Sequence, residues 1–316
     1  MRLTPRVTTL PTSSAPLTYQ GIAGLQEPTL ASAAAKIPGK SEFSLLGGLD
    51  SANDATGQVI TVSSAGTAAV GSLPVSLYGA AAVMLGSDEY IFGGAKGTAT
   101  TPTVEQGILE YTVTGAGTIT EIAKLPSNNY GLSAAVIGNS AYLVGGDTGT
   151  QTLATILSWH PGGSVTTAGT LPIALRYAAV TAVGDDLVIA GGLQANGTPS
   201  KRIFIFDSTT GKVRTLHATL PRGLYAAAGA TLNKLAYVIG GAYATGTGST
   251  AQVVPVNTIY SIDPTNGKLA NAGPMAITLA ESAAVVIGDT IYVAGGRSGG
   301  ATVSDVGTLT VSKSNG

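Results

Sequence analysis

Tyr237-Val238-Ile239-Gly240-Gly241 is an apolar run that ends on a pair of glycines, and the chain contains this figure six times. The other copies are Phe43-Ser44-Leu45-Leu46-Gly47-Gly48, Tyr90-Ile91-Phe92-Gly93-Gly94, Tyr142-Leu143-Val144-Gly145-Gly146, Leu187-Val188-Ile189-Ala190-Gly191-Gly192 and Tyr292-Val293-Ala294-Gly295-Gly296. Their first glycines stand 46, 52, 46, 49 and 55 residues apart. Spacing of this kind marks a repeat architecture, in which one supersecondary unit recurs and each copy buries its apolar face against its neighbours.

Working outward, a second landmark keeps a tighter register. Leu73-Pro74, Leu125-Pro126, Leu171-Pro172 and Leu220-Pro221 each lie 20 residues before their glycine pair. Glu27-Pro28 takes that offset in the first copy and Gly273-Pro274-Met275 nearly takes it in the last. Between the landmarks, a small-residue strand such as Tyr78-Gly79-Ala80-Ala81-Ala82-Val83 meets a tight turn such as Gly138-Asn139 or Gly184-Asp185, so each unit opens with a hairpin. A third strand follows, for example Arg202-Ile203-Phe204-Ile205-Phe206-Asp207, and ends in Asn and Gly turn chemistry. A fourth strand leads to the next unit.

Four-stranded units at this period predict an all-β chain folded as a six-bladed β-propeller, where radial packing buries both faces of each sheet. The expected blades are 27–72, 73–124, 125–170, 171–219, 220–272 and 273–316. The last unit stops at its third strand, Val306 to Val311, and the missing fourth strand is supplied by Thr18 to Leu25. That segment, 18–26, therefore closes the final blade, and residues 1–17 read as a loosely held leader or an extended donor segment.

Four of the glycine pairs are followed 13 to 19 residues later by an aromatic, Tyr111, Trp159, Phe206 or Tyr260, and the pattern of glycine pair and aromatic resembles the kelch repeat over nearly the whole chain. Kelch units also carry a Trp in the fourth strand, a position that holds small or aliphatic residues here. The resemblance implies a kelch-type propeller. It extends to uncharacterised exported bacterial kelch proteins and, more distantly, to the six-bladed mutarotases of the bacterial N-acetylneuraminate epimerase type. Galactose oxidase shares the repeat type, but its chemistry needs a cysteine-modified tyrosine and histidine copper ligands. With no Cys and two His, this chain has neither.

Composition removes several function classes. The formal net charge of -1, with charged residues at 10%, lacks the cationic footprint of a nucleic-acid binder. The absence of Cys rules out disulfides and thiolate metal sites. No apolar run is long enough to span a bilayer as a helix. The start has no apolar core of a signal peptide. A low-charge, Thr- and Gly-rich surface favours an extracellular or cell-surface location, and the Asn-Gly-Thr triplet at Asn196 adds little to it. No HExxH, acidic calcium loop or GxSxG elbow occurs, and no metal or cofactor is expected. His160 and His217 fall on blade peripheries.

Propeller ligands bind at one mouth of the axial channel. The residue 15 positions before each first glycine should start every innermost strand there: Ser32, Tyr78, Tyr130, Arg176, Tyr225 and Ala280. Tyrosine offers an apolar face with a polar tip and arginine a bidentate fork, so this ring suits a sugar or peptide. The same tyrosines would serve equally as packing between blades. The loops after the glycine pairs contribute Asp50, Lys96, Asp147, Gln194, Tyr243 and Arg297, residues suited to a specific site or to solvent.

Three functions fit. The first is a non-catalytic binding module for a glycan or a peptide or protein partner. The second is a mutarotase or epimerase of an acidic sugar, with Glu281 as general base and Arg297 holding the carboxylate. The third is a structural subunit of a surface layer or filament, assembled through its N-terminal segment.

Overall fold

A computed structural model describes residues 10–112, 118–245 and 252–312 of the chain. The protein is an all-β, six-bladed propeller with six four-stranded antiparallel sheets around a central channel, and there is no helix among the described residues. In blades 1, 3 and 4 the four strands follow one another from axis to rim without interruption. Blades 2 and 5 insert a second small hairpin, Ala95–Gly97 with Pro102–Val104 and Ala242–Thr245 with Gln252–Pro255, between their second and third strands. A shorter one, Arg297–Ser298 with Ala301–Thr302, stands in blade 6.

The sixth sheet is closed by the N-terminus. Leu17–Gly24 pairs antiparallel with Asp305–Val311, from Leu17 opposite Val311 to Gly24 opposite Asp305. The preceding residues add a second clasp at the seam between blades 5 and 6. Ser13 donates its amide to Asn271 O (2.7 Å) and Asn271 donates back to Pro11 O (2.8 Å). The Ser261 hydroxyl meets that of Ser13 (2.7 Å), and Tyr237 Oη donates to Ala15 O (2.9 Å). Burial pushes the Tyr237 phenol up to about 12. Residues 10–16, read above as part of a loosely held leader, are thus hydrogen-bonded to their own propeller, while residues 1–9 lie outside the described residues.

The glycine pairs are the joints between blades. The amide of each second glycine donates to a carbonyl of the next blade: Gly48 to Leu77, Gly94 to Asn129, Gly146 to Leu175, Gly192 to Leu224, Gly241 to Leu279 and Gly296 to Thr29. A Cβ on each first glycine would strike that same carbonyl oxygen. The last bond of the series joins blade 6 to blade 1. Between these joints the middle strands bury their large side chains, among them Phe43, Phe92, Trp159, Phe204, Phe206 and Tyr237.

The first blade corrects the register expected from the sequence. Its hairpin pairs Ala33 with Leu46, where blade 2 pairs Ala81 with Phe92, and its turn is longer. The residue equivalent to the leucine of Leu-Pro is consequently Leu25 and not Glu27. Leu25 N donates to Ser304 O as Leu73 N does to Gly57 O and Leu125 N to Gln106 O. Met275 fills the same place in blade 6, donating to Asn257 O, and Leu25, Leu73, Leu125, Leu171, Leu220 and Met275 are all buried.

One seam holds a charge-bearing residue. Glu89 stands in blade 2 where the other blades place Phe43, Ala141, Leu187, Ala236 and Ile291, and it is fully buried. Burial raises its carboxyl to about 8, opposed by a hydrogen bond with Ser44 of blade 1. Ser44 Oγ lies 2.5 Å from Glu89 Oε2 and 3.1 Å from Ala35 O. The single hydroxyl proton of Ser44 has two acceptors within reach, the Glu89 carboxyl and the Ala35 carbonyl.

Candidate functional site

At one end of the channel the six innermost strands are tied into a closed belt. Gly79 N donates to Ala31 O, Gly131 to Gly79, Tyr177 to Gly131, Ala226 to Tyr177, Glu281 to Ala226 and Ala31 to Glu281, at 2.7 to 2.8 Å. All six residues have φ between 52° and 62°, the left-handed region, although only two of them are glycine. A non-glycine residue with this backbone is uncommon, and such residues concentrate where a fold serves function.

The ring of residues just before the belt is Leu30, Tyr78, Tyr130, Arg176, Tyr225 and Ala280. Each pairs with the second residue after its own glycine pair's first glycine, for instance Tyr130 with Asp147 and Arg176 with Leu193. Five of the six expected ring positions are therefore as read from the sequence. Ser32 is displaced two residues down the channel by the longer first hairpin. It lines the throat and donates to Gly47 O (2.9 Å), and buried Leu30 takes its place.

The side chains of the ring divide by burial. Tyr78 is 4% exposed, packs with Leu30, Leu49, Ala95 and Val104, and donates to Thr98 O (3.2 Å). Its phenol is pushed up to about 12, first by burial and then by Tyr130. Tyr78 is a packing residue. Tyr130 and Tyr225 are half-buried, and burial raises the Tyr225 phenol, with Glu281 raising it further and Arg297 and Arg176 opposing. Arg176 spans the seam between blades 3 and 4. Its Nη1 donates to Tyr130 Oη (3.0 Å) and reaches Asp147 Oδ2 (3.5 Å), and the guanidinium lies 5.9 Å from the Tyr130 ring centroid.

Tyr177 was not among the sequence candidates. It belongs to the belt, and its ring packs over Gly131, where a Cβ would collide with it, with its hydroxyl end beside Gly79. Its centroid is 6.2 Å from that of Tyr130, edge to face, and Tyr130 in turn meets Tyr78 at 6.3 Å. Burial raises the Tyr177 phenol well above its ordinary value, with smaller contributions from Tyr130 and Glu281. Below it the throat, about 140 Å³, is lined by Ser32, Gly79, Gly131, Tyr177, Glu281 and Ser282 among others. The readable signal was a substitution inside the repeat: Tyr78-Gly79 and Tyr130-Gly131 become Arg176-Tyr177.

Glu281 and Arg297, the acid and cation expected from the sequence, do meet: Arg297 Nε donates to Glu281 Oε2 at 3.0 Å. Arg297 Nη2 also reaches Asn53 Oδ1 of blade 1 at 3.4 Å, a contact that sequence reasoning missed. The remaining loop candidates serve their own loops. Asp50 Oδ1 accepts from Ala52 and Asp54 amides, Lys96 pairs with Glu105 (2.6 Å), and Gln194 donates to Thr198 O (3.3 Å). Tyr243 lies under the Arg222 guanidinium at 4.4 Å. Asp147 does both: Oδ1 accepts from Gly149 N (2.8 Å) and Oδ2 from Thr152 Oγ1 (2.7 Å) while it faces Arg176.

The mouth thus gathers Tyr130, Arg176, Asp147, Tyr177, Tyr225, Glu281 and Arg297 above a narrow throat. No protein-family model matches the chain, and no curated protein matches it in sequence. The solved structure of YjhT, a kelch-type propeller, superposes with a TM-score of 0.79 at 18% identity, covering 92% of this chain and 97% of that one. At that identity the likeness establishes one thing, that the chain has the six-bladed propeller fold of that structure.

Proposed function

We propose that the protein is a non-catalytic, extracytoplasmic binding module that holds a glycan or a peptide at the belted mouth of its channel. The observation that carries this reading is the strained belt. Four non-glycine residues accept a left-handed backbone there, and two of them, Tyr177 and Glu281, bring large functional side chains to the axis. Such strain costs on the order of 1–2 kcal/mol per residue and persists where the surroundings impose it. Two half-buried tyrosines and two arginine–carboxylate pairs surround these residues and supply stacking faces and directed hydrogen bonds. Low charge and a Thr- and Gly-rich surface support the location. The test is binding of the protein to glycan and peptide arrays, repeated with Tyr130→Ala/Tyr225→Ala. A loss of at least tenfold is expected, and unaltered binding would remove the reading.

A second reading, a mutarotase or epimerase of an acidic sugar, is supported by the 3.0 Å contact between Glu281 and Arg297. In it Glu281 moves a proton at the anomeric centre while Arg297 holds the substrate carboxylate. Proton NMR of anomer interconversion, comparing wild type with Glu281→Ala, separates the two. Absence of any acceleration by the wild-type protein eliminates this alternative.

A further inference from the structure

Both guanidinium groups at the mouth already have a carboxylate. Arg297 is bonded through Nε to Glu281 at 3.0 Å, and Arg176 stands 3.5 Å from Asp147. A ligand carboxylate brought to either arginine would also approach the resident acid, and the repulsion would offset the attraction. A hydroxyl meets no such conflict. It accepts from the guanidinium and donates to the carboxylate at once, so an arginine beside an acid satisfies two neighbouring hydroxyls of one ring. Glu281 Oε1 has no partner among the described residues and remains an acceptor for such a group.

Main-chain recognition is closed off at the same place. The amide and carbonyl of Tyr78, Tyr130, Arg176, Tyr225 and Ala280 are bonded to their own loops, and those of the belt residues to one another. An extended peptide, which binds by adding a strand to a free edge, finds none in the ring or the belt. Small hairpins stand after the glycine pairs of blades 2, 5 and 6. The arginine–acid pairs belong to different blades, one to blades 3 and 4, the other to blade 6.

We infer that the ligand is a neutral oligosaccharide, with its sugar hydroxyls held at the mouth by Arg176/Asp147 and Arg297/Glu281. This rests on the mouth being the binding site. Matched tetrasaccharides provide the probe: neutral gluco-, manno- and galacto-oligomers against their uronate counterparts, measured on arrays and then by calorimetry. The expected result is a neutral oligomer bound at least tenfold more tightly than its uronate, with Glu281→Gln reducing that ratio by about tenfold because Arg297 loses its partner. Glu281→Gln keeps the side-chain shape, and a melting curve checks its fold. Asp147→Asn gives the same readout from the other pair. Uronates bound more tightly than neutral sugars, with binding lost in Tyr130→Ala, would overturn the inference and leave the mouth as the binding site. Peptide binding lost in Tyr130→Ala would do the same. Sugar binding indifferent to Tyr130→Ala and Tyr225→Ala would overturn both.

Discussion

The left-handed backbone is used in two regions of every blade, and the surroundings differ. At the seams, the first glycine of each pair has φ between 59° and 69°, and a Cβ there would strike the next blade's carbonyl oxygen. At the mouth, the belt residues have φ between 52° and 62°, yet four of the six carry a side chain. Handedness alone costs about 1–2 kcal/mol and a well-packed ring can bear it. A collision with a hydrogen-bonded carbonyl cannot be borne without opening the seam. Glycine is therefore obligatory at the joints and optional at the mouth, and that difference leaves the mouth free to carry function.

The largest expected effect breaks the comparison directly. Gly145 (φ 62°) sits at the joint of blades 3 and 4, while Gly138 (φ 59°) sits in the hairpin turn of the same blade with nothing within 4 Å of its virtual Cβ. Gly138→Ala should cost only the handedness term, about 1 kcal/mol. Gly145→Ala adds the collision with Leu175 O and loses the seam bond, and should cost about 4 kcal/mol or leave the chain unfolded. Equal melting temperatures for the two variants would refute this account of the joints.

Two glutamates extend the contrast from shape to charge. Glu281 at the mouth lies against Arg297, whereas Glu89 at the first seam has only Ser44 and a buried, unpartnered Oε1. The Glu89 carboxyl, at about 8 in the folded protein against 4.5 for the free group, holds its proton more tightly when folded. The folded state thus binds more protons from about pH 4.5 upward, and stability falls as pH rises until the carboxyl has ionised above about pH 8. Glu89→Gln keeps a donor for Ser44 and removes this loss, on the order of 3 kcal/mol at neutral pH. Its melting temperature should exceed that of wild type by about 5 °C at pH 7 and by more at pH 9, and converge with it near pH 4. Parallel curves from pH 5 to 9 would contradict a buried, protonated Glu89.

Much of this was legible in the sequence because a propeller repeats its instructions. Six glycine pairs give the blade number, and the unpaired ends predict that residues 18–26 close the last sheet, where the strand Leu17–Gly24 does so. The register failed where one turn was longer: in blade 1, Glu27-Pro28 imitates Leu-Pro at the wrong place while Leu25 does its work. Tyr177 was missed for a different reason. The 15-residue offset points to the position before it, and the handedness of the next residue is set by bonds to neighbouring blades that no local motif encodes. The pairing of Arg176 with Asp147 and Tyr130 likewise depends on which loops the closed ring brings together.

A smaller effect sharpens the contrast within the belt. Gly131 is glycine because the Tyr177 ring occupies the space of its Cβ. Gly131→Ala should cost about 2 kcal/mol, combining handedness with displacement of that ring. In a Tyr177→Ala background the displacement disappears, so the same change should cost about 1 kcal/mol, a coupling that a double-mutant cycle measures. Additive effects would mean that Tyr177 does not rest on Gly131.

The smallest expected effect concerns Ala226, a belt residue at φ 53° whose small side chain is buried. Replacing it with glycine relieves about 1–2 kcal/mol of left-handed strain. Against this stand the greater freedom of glycine in the unfolded chain, about 0.5–1 kcal/mol, and the lost burial of one methyl, about 0.8 kcal/mol. The terms nearly cancel, and Ala226→Gly should change the unfolding free energy by less than about 1 kcal/mol in denaturant titration. The same near balance would let evolution place alanine, tyrosine or glutamate at a belt position with little loss of stability, which no seam glycine permits. A destabilisation of Ala226→Gly approaching that of Gly145→Ala would erase the distinction between mouth and joint.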